Sequence, residues 1–177
     1  KIVGLPCFVK ANRAGSSFGV YLVNSKSELE PAIMNAFKED CQILIESALV
    51  GREVSVGVAE FNNKINVLPI TEIISENDFF DYAAKYEGKA QEITPAKIAE
   101  PSKIEVEKWS RLIYKKLGLK GLIRSEFIIV DDIPHLLEIN SVPGMTSKSI
   151  IPQQVSAMGI ELSDFFNYLL QTALKQE

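Results

Sequence analysis

The stretch GLIRSEFIIVDDIPHLLEINSVPGMTSKS, residues 121–149, decides the fold. Two apolar runs, GLIRSEFIIV (121–130) and HLLEIN (135–140), flank Asp131-Asp132-Ile133-Pro134. Runs of this kind, broken by a polar and proline-containing turn, read as a hairpin of antiparallel strands. Side chains alternate across a strand. Arg124 and Glu126 therefore share one face of the first strand, and Glu138 and Asn140 share one face of the second. A three-residue turn at 131–133 would pair Val130 with Pro134. That register sets Glu126 opposite Glu138 and Arg124 opposite Asn140. A bulge, or a turn of two or four residues, would shift it.

Two carboxylates directly opposite each other repel. A shared proton, Arg124 or a divalent cation can offset the repulsion. Two carboxylates and an amide oxygen, without His or Cys, suit a hard cation such as Mg²⁺. Magnesium takes few protein oxygens and leaves the rest to water and phosphate, so the set implies a nucleotide. The plainer alternative is an exposed charged hairpin. Beyond Asn140 the chain turns through Pro143 and Gly144 among four hydroxyls, Ser141, Thr146, Ser147 and Ser149.

Outward from the hairpin, the rest of the chain reads as α+β with mostly antiparallel sheets. Residues 6–10 form a buried strand, 11–17 a polar turn and 18–23 a second strand. Ser25 and Glu28 match a capping box opening a helix to about Glu39. CQILIES (41–47) reads as a short buried strand. Strands at 52–60 and 64–71 are joined by Asn62-Asn63. Ser102 and Glu105 match a second capping box, with a helix to about Leu117. Helices close the chain near 148–158 and 163–175.

Composition narrows the function. The chain has 177 residues, 46% hydrophobic and 24% charged, with a formal net charge of −4. That is a globular composition. Without a basic block it argues against nucleic acid and anionic membranes as partners. No run approaches the about 20 apolar residues of a membrane span. Cys7 and Cys41 have no metal-type spacing and read as two buried free thiols in a reducing cytoplasm. His135 is the only histidine, which excludes most histidine triads and zinc sites. Carboxylate, lysine, arginine and backbone chemistry remain. The chain opens at Lys1, shortly before a strand, and reads as a piece of a longer protein.

Two loops fit a phosphate site. ANRAGSSFG between two strands offers backbone N–H groups and hydroxyls, although it matches neither common phosphate-loop pattern. Lys10 precedes it and can act as a point charge. An ordinary hairpin turn is the plainer reading. Residues 75–100 are polar and aromatic without a clear period, and DYAAKY (81–86) carries Lys85 and Tyr86 there. So long a loop is either a functional lid or a solvated segment.

In order, the motifs are FVKANRAGSS, ILIES…GREVSV, DYAAKY, GLIRSEF and LLEINSVPGMTSKS. The series resembles the D-alanine–D-alanine ligase family of the ATP-grasp superfamily, over essentially the whole chain. E-x-N followed by PGMTS, combined with YxAKY, is the specific part. The resemblance implies an ATP-grasp fold: residues 1–48 as the late part of the central subdomain, and 49–177 as the C-terminal catalytic domain. The family's N-terminal domain and the start of its central subdomain are expected to lie outside this chain.

The resemblance also implies roles. ATP would lie between two antiparallel sheets. Glu46 to Leu49 would flank the adenine, and Glu53 would meet the ribose hydroxyls. Lys10 would hold the inner phosphates, covered by Gly15, Ser16 and Ser17, and Lys85 would reach the transferred phosphate. Glu126, Glu138 and Asn140 would bind two Mg²⁺ ions, with Mn²⁺ as an alternative and Glu138 bridging. Arg124 and the Gly144 N–H would face the oxyanion, and Ser149 the carboxylate of the second substrate. Ser16 and Tyr86 resemble the pair that fastens the lid. The chain departs from the pattern twice. Glu126 stands where many members have Asp, an extra methylene that a one-residue-shorter hairpin can absorb. Ser47 stands where a lysine near adenine is common, which puts one nucleotide contact in question.

The implied activity is ATP-dependent joining of two D-alanine molecules, through an acyl phosphate, for peptidoglycan in the bacterial cytoplasm. Sister ligases making D-alanyl-D-lactate or D-alanyl-D-serine are an alternative. Tyr86 favours the dipeptide, because depsipeptide ligases generally diverge in that loop. A nucleotide-binding module without catalysis is a second alternative, and the intact set of Lys85, Arg124, Glu126, Glu138 and Asn140 argues against it. The parent protein is expected to be a homodimer and this piece monomeric. Alone the piece is expected to be inactive, because the first D-alanine's site belongs to the missing domain.

Overall fold

The structure, a computed structural model, describes residues 3–14, 18–75 and 90–175. The chain divides into two units, the first taking Lys1–Val50 and Ser75–Ala90, the second Gly51–Ile74 and Gln91–Glu177.

In the first unit, β1 (Cys7–Ala11) lies between β2 (Val20–Val23) and β3 (Ile43–Ser47), and both pairings are antiparallel. Alternate residues of β1, Cys7, Val9 and Ala11, are buried. They face α1 (Lys26–Glu39), which presents Leu29, Ala32, Ile33 and Ala36 at helical spacing. The helix begins where the Ser25–Glu28 pattern predicts, with different chemistry. Ser25 donates to Glu28 at 2.7 Å, and Glu28 accepts the Asn24 N–H at 2.8 Å. Two expectations need correction. β3 is not buried: it lies at one edge of the sheet, and Leu44 and Ile45 are both exposed. Of the two thiols, Cys7 is buried and Cys41 is exposed.

The second unit is built around β4 (Arg52–Phe61), whose even and odd residues feed separate cores. Val54, Val56 and Val58 pack beneath α2 (Glu100–Lys116), against Val106 and Tyr114. Ala59 and Phe61 pack against Ile151 and Val155 of α3 (Ile150–Ala157) and Phe165 of α4 (Leu162–Leu174). One long edge of β4 pairs with β8 (Leu122–Val130), which in turn pairs with β9 (Ile133–Asn140). The other edge is shared between β5 (Lys64–Val67) and β6 (Thr71–Ser75), with β7 (Ala90–Ile93) beyond β6. The expected strand 64–71 is thus two strands, broken at residues 68–70.

The turns follow from sequence. Asn62 and Asn63 have φ of 53° and 60°, the left-handed values of a two-residue hairpin turn, where Asn is tolerated. The second expected capping box is corrected: Ser102 lies inside α2, whose N-cap is Ala99. Pro101, with its preset φ, sits in the first turn, so the helix starts earlier than the Ser-x-x-Glu pattern implies. Ser102 instead donates to Asp132 at 2.5 Å, tying α2 to the β8–β9 turn.

Tyr114 is buried and donates its hydroxyl to the Gly121 carbonyl at 2.8 Å. Burial, then the charge of Glu60, pushes its phenol up to about 12. An unfolded tyrosine ionises near pH ~10. Its stabilisation is therefore complete below about pH 10 and lost as pH rises toward about 12, since only the unfolded chain releases the proton. Alkaline unfolding followed by circular dichroism should show this slope, flattened in Tyr114→Phe. An identical slope in the variant would remove Tyr114 as its source.

Candidate active site

The β8–β9 hairpin brings together four of the residues singled out from sequence. Glu126 pairs with Glu138, and Arg124 with Asn140. The turn is not three residues long. Val130 pairs with Ile133 across Asp131-Asp132, at φ of 48° and 64°. Carried on unbroken, that register would set Leu137 opposite Glu126. The register shifts between Glu126 and Phe127, so that Leu136 faces Phe127 and Glu138 faces Glu126. Leu137 is the extra residue of the bulge. The short turn displaces the strand by one position and the bulge restores it.

Electrostatics at the hairpin follow from its burial. Glu126 is only 3% exposed and lies against Arg124, 17% exposed at its side chain. Arg124 donates Nε at 3.0 Å and Nη2 at 2.5 Å, both to Glu126 Oε1. This pair offsets the repulsion expected between the opposed carboxylates. Asn140 Oδ1 accepts the Val142 N–H at 3.3 Å, which starts the turn into the proline–glycine segment. There Ser149, the N-cap residue of α3, accepts the Thr146 N–H at 3.1 Å and lies 2.9 Å from Thr146 Oγ1. A Cβ on Gly144 would come within 3.0 Å of Ser149 Oγ, so glycine keeps that backbone close to the hydroxyl.

On β4, Glu53 pairs with Ile128 and Ser55 with Glu126, which places both on the sheet face that carries Arg124, Glu126 and Glu138. In the first unit, Lys10 Nζ lies 2.6 Å from Glu46 Oε2. Leu49 is half-buried after β3, and Ser47 is exposed. The remaining predicted residues, Gly15, Ser16, Ser17, Lys85 and Tyr86, lie outside the described residues.

The donor set of Glu126, Glu138 and Asn140 is all oxygen, on paired strands, and fits a hard divalent cation. Among the described residues no group of three or more His, Cys, Asp or Glu is placed to hold a metal. A cation held by two carboxylates and one amide would take its remaining ligands from water or phosphate oxygens. No helix among the described residues is long and apolar enough to cross a membrane.

Sequence reading missed two residues here. Ser55 is fully buried on that face, and its hydroxyl has no hydrogen-bond partner among the described residues. It becomes visible only when β4 is set in register with β8. Gln154 is also fully buried, on the apolar face of α3 with Ile151 and Val155. A glutamine at helical spacing among branched apolar residues is the signal that marks it.

Comparison with known proteins follows the same outline. Residues 1–171 match the family model described as D-ala D-ala ligase C-terminus. A D-alanine–D-alanine ligase of Flavobacterium johnsoniae is 56% identical over 174 residues, 98% of this chain and 54% of the relative. The crystal structure of a D-alanine–D-alanine ligase from Bacillus anthracis complexed with ATP superposes with a TM-score of 0.80 at 30% identity, covering 97% of this chain and 53% of that one. The VanG D-Ala:D-Ser ligase of Enterococcus faecalis gives 0.82 at 32% identity, covering 94% and 49%. The chain spans about half the length of the curated relatives it matches.

Proposed function

This chain belongs to the D-alanine–D-alanine ligase C-terminus family, and from that premise we propose that the complete protein joins two D-alanine molecules at the expense of ATP. Residues 1–48 form part of the central ATP-grasp subdomain and 49–177 the C-terminal catalytic domain. The product serves peptidoglycan synthesis in the bacterial cytoplasm, and the complete protein is a homodimer. The observation that carries the reading is the pairing of Glu126 with Glu138 and Arg124 with Asn140 on one sheet face.

The chemistry explains why these residues are needed. A carboxylate is a poor acyl donor because oxide is a poor leaving group. Transfer of the γ-phosphoryl group from ATP to the first D-alanine's carboxylate gives an acyl phosphate and ADP. The amine of the second D-alanine attacks the acyl carbon, loses a proton, and inorganic phosphate departs as the amide forms. Both partners in the first transfer are anions, so cationic groups must screen them. Lys10 and Lys85 supply that charge at the phosphates. Glu126, Glu138 and Asn140 would hold Mg²⁺, which when bound neutralises phosphate charge and aligns the transferred group. Arg124 and the Gly144 N–H donate to the tetrahedral oxyanion, and Ser149 orients the acceptor's carboxylate. Lys85 and Tyr86 help exclude water, which would hydrolyse the acyl phosphate.

Calorimetric titration of the complete protein with ATP and Mg²⁺ tests the carrying observation. Loss of an outer-shell partner alone typically weakens a metal by about 10–100-fold. Glu138→Gln should cost the magnesium-dependent part of ATP binding at least that much. Equal magnesium-dependent affinity in the variant would sink the assignment. Substituting D-serine or D-lactate for the second D-alanine in a phosphate-release assay identifies the acceptor, and D-alanine is the expected preference.

A further inference from the structure

Four polar residues form a row across one face of the second unit's sheet. Thr71 of β6 pairs with Ser55 of β4, Ser55 with Glu126 of β8, and Glu126 with Glu138 of β9. Thr71 shares its hydroxyl with Thr94 at 2.6 Å and receives Gln154 Nε2 at 3.0 Å. Glu126 receives Arg124. Ser55 is different: it is 0% exposed, and its Oγ has no partner among the described residues. A buried hydroxyl without a partner destabilises a fold, and native structures keep few of them.

We propose that Ser55 is a positioning residue for Glu126, donating to its carboxylate when the site is loaded. The inference rests on the ATP-dependent ligase reading above. Directly opposed residues on antiparallel strands hold their Cβ atoms about 4.5–5.5 Å apart, and rotation about the serine χ1 aims Oγ along or across that gap. Arg124 gives both of its bonds to Glu126 to a single oxygen, Oε1. A guanidinium committed in this way has fewer donors for an oxyanion. With Ser55 holding Glu126, Arg124 can turn toward the reacting carbonyl without leaving the buried carboxylate unsupported. The remaining lone pairs of Glu126 would then be left for the cation.

The sheet provides its own control. Ser125 is also 0% exposed with an orphan hydroxyl, but it pairs with Val56 and Ile139 on the opposite face, above the α2 core. Ser55→Ala and Ser125→Ala in the complete protein separate the two roles. The measurements are Tm of the metal-free, nucleotide-free protein and Mn²⁺ affinity in the presence of ATP, read by electron paramagnetic resonance. Removing an orphan hydroxyl should leave Tm unchanged or higher in both. Mn²⁺–ATP affinity should fall roughly tenfold in Ser55→Ala only, the scale of one hydrogen bond to a charged group. Affinity unchanged in Ser55→Ala overturns the inference while the ligase reading stands. A fall in Tm matched by the fall in affinity makes Ser55 a packing residue and overturns it too. An unaltered protein that binds no Mn²⁺ with ATP overturns the ligase reading and this inference together.

Discussion

Replacement of Arg124 by alanine in the complete protein is expected to lower ligase turnover by at least about 100-fold. One preorganised oxyanion donor is typically worth ~3–4 kcal/mol of transition-state stabilisation, and Arg124 is proposed as that donor. The structure adds a second consequence. Glu126 is 3% exposed and receives both Arg124 bonds. Removing the cation leaves a buried carboxylate opposite Glu138, and breaking a buried pair is strongly destabilising. The two effects separate by measurement. Saturating Mg²⁺ and ATP should recover much of the lost Tm, because the cation replaces the missing positive charge, while kcat should stay low. Arg124→Lys sharpens the test: it keeps the charge but not the planar fork that can serve a carboxylate and an oxyanion together. It should recover stability more than turnover. Turnover by Arg124→Ala within about threefold of the unaltered protein would remove Arg124 from the oxyanion role, since even one lost donor should exceed that.

The hairpin shows what sequence could and could not deliver. Alternation alone placed Arg124 with Glu126 and Glu138 with Asn140, because each pair is two residues apart on one strand. Their pairing across strands depends on the turn, and the assumed three-residue turn was wrong. Two Asp residues with positive φ make a two-residue turn, and Leu137 bulges to compensate. Nothing in HLLEIN marks Leu137 as the extra residue, because bulge placement is decided by how neighbouring strands pack. The expected Glu126–Glu138 pairing stands, although each of its assumed steps differed.

Other departures have equally local causes. Ser102 and Glu105 have the spacing of a capping box, but Pro101 draws the first helical turn toward the N-terminus. Ser102 then serves the hairpin through Asp132 rather than its own helix. The ILIES run is apolar enough to be buried, yet strand order places it at an edge. Order in a sheet is a tertiary fact, and a strand's own residues do not encode it. Motif order did carry the family, since the matched residues 1–171 span every quoted motif.

Gln154→Leu is expected to be the most destabilising of the single substitutions considered, by about 3–5 kcal/mol, from buried groups left unpaired at ~1–3 kcal/mol each. The reason lies in the divided edge of β4. That edge pairs with β6 as far as Ser55 and with β5 from Val58 onward. Gln154 reaches the interval between them. Its Oε1 accepts the Gly57 N–H at 2.9 Å, and its Nε2 donates to the Ser55 carbonyl at 2.9 Å and to Thr71 Oγ1 at 3.0 Å. One carboxamide thus serves the strand edge at the junction between its two neighbours. Gly57 permits the approach, since a Cβ there would lie 2.8 Å from Gln154 Oε1 and 2.7 Å from Ile151 Cδ1. Leucine fills a similar volume but offers none of the three bonds, so the loss is polar rather than steric. Thermal unfolding should fall on the order of 10 °C for a chain of this size. A change below about 2 °C would show that water or a strand shift replaces the amide. The substitution also reaches the site. Ser55 and Gly57 are the β4 partners of Glu126 and Arg124, and Ser149 stands at the N-cap position of the helix that carries Gln154. Loosening this contact should therefore raise KM for the acceptor amino acid in the variant that still folds, because the hydroxyl at the helix start and the guanidinium on the strand are held in register through it.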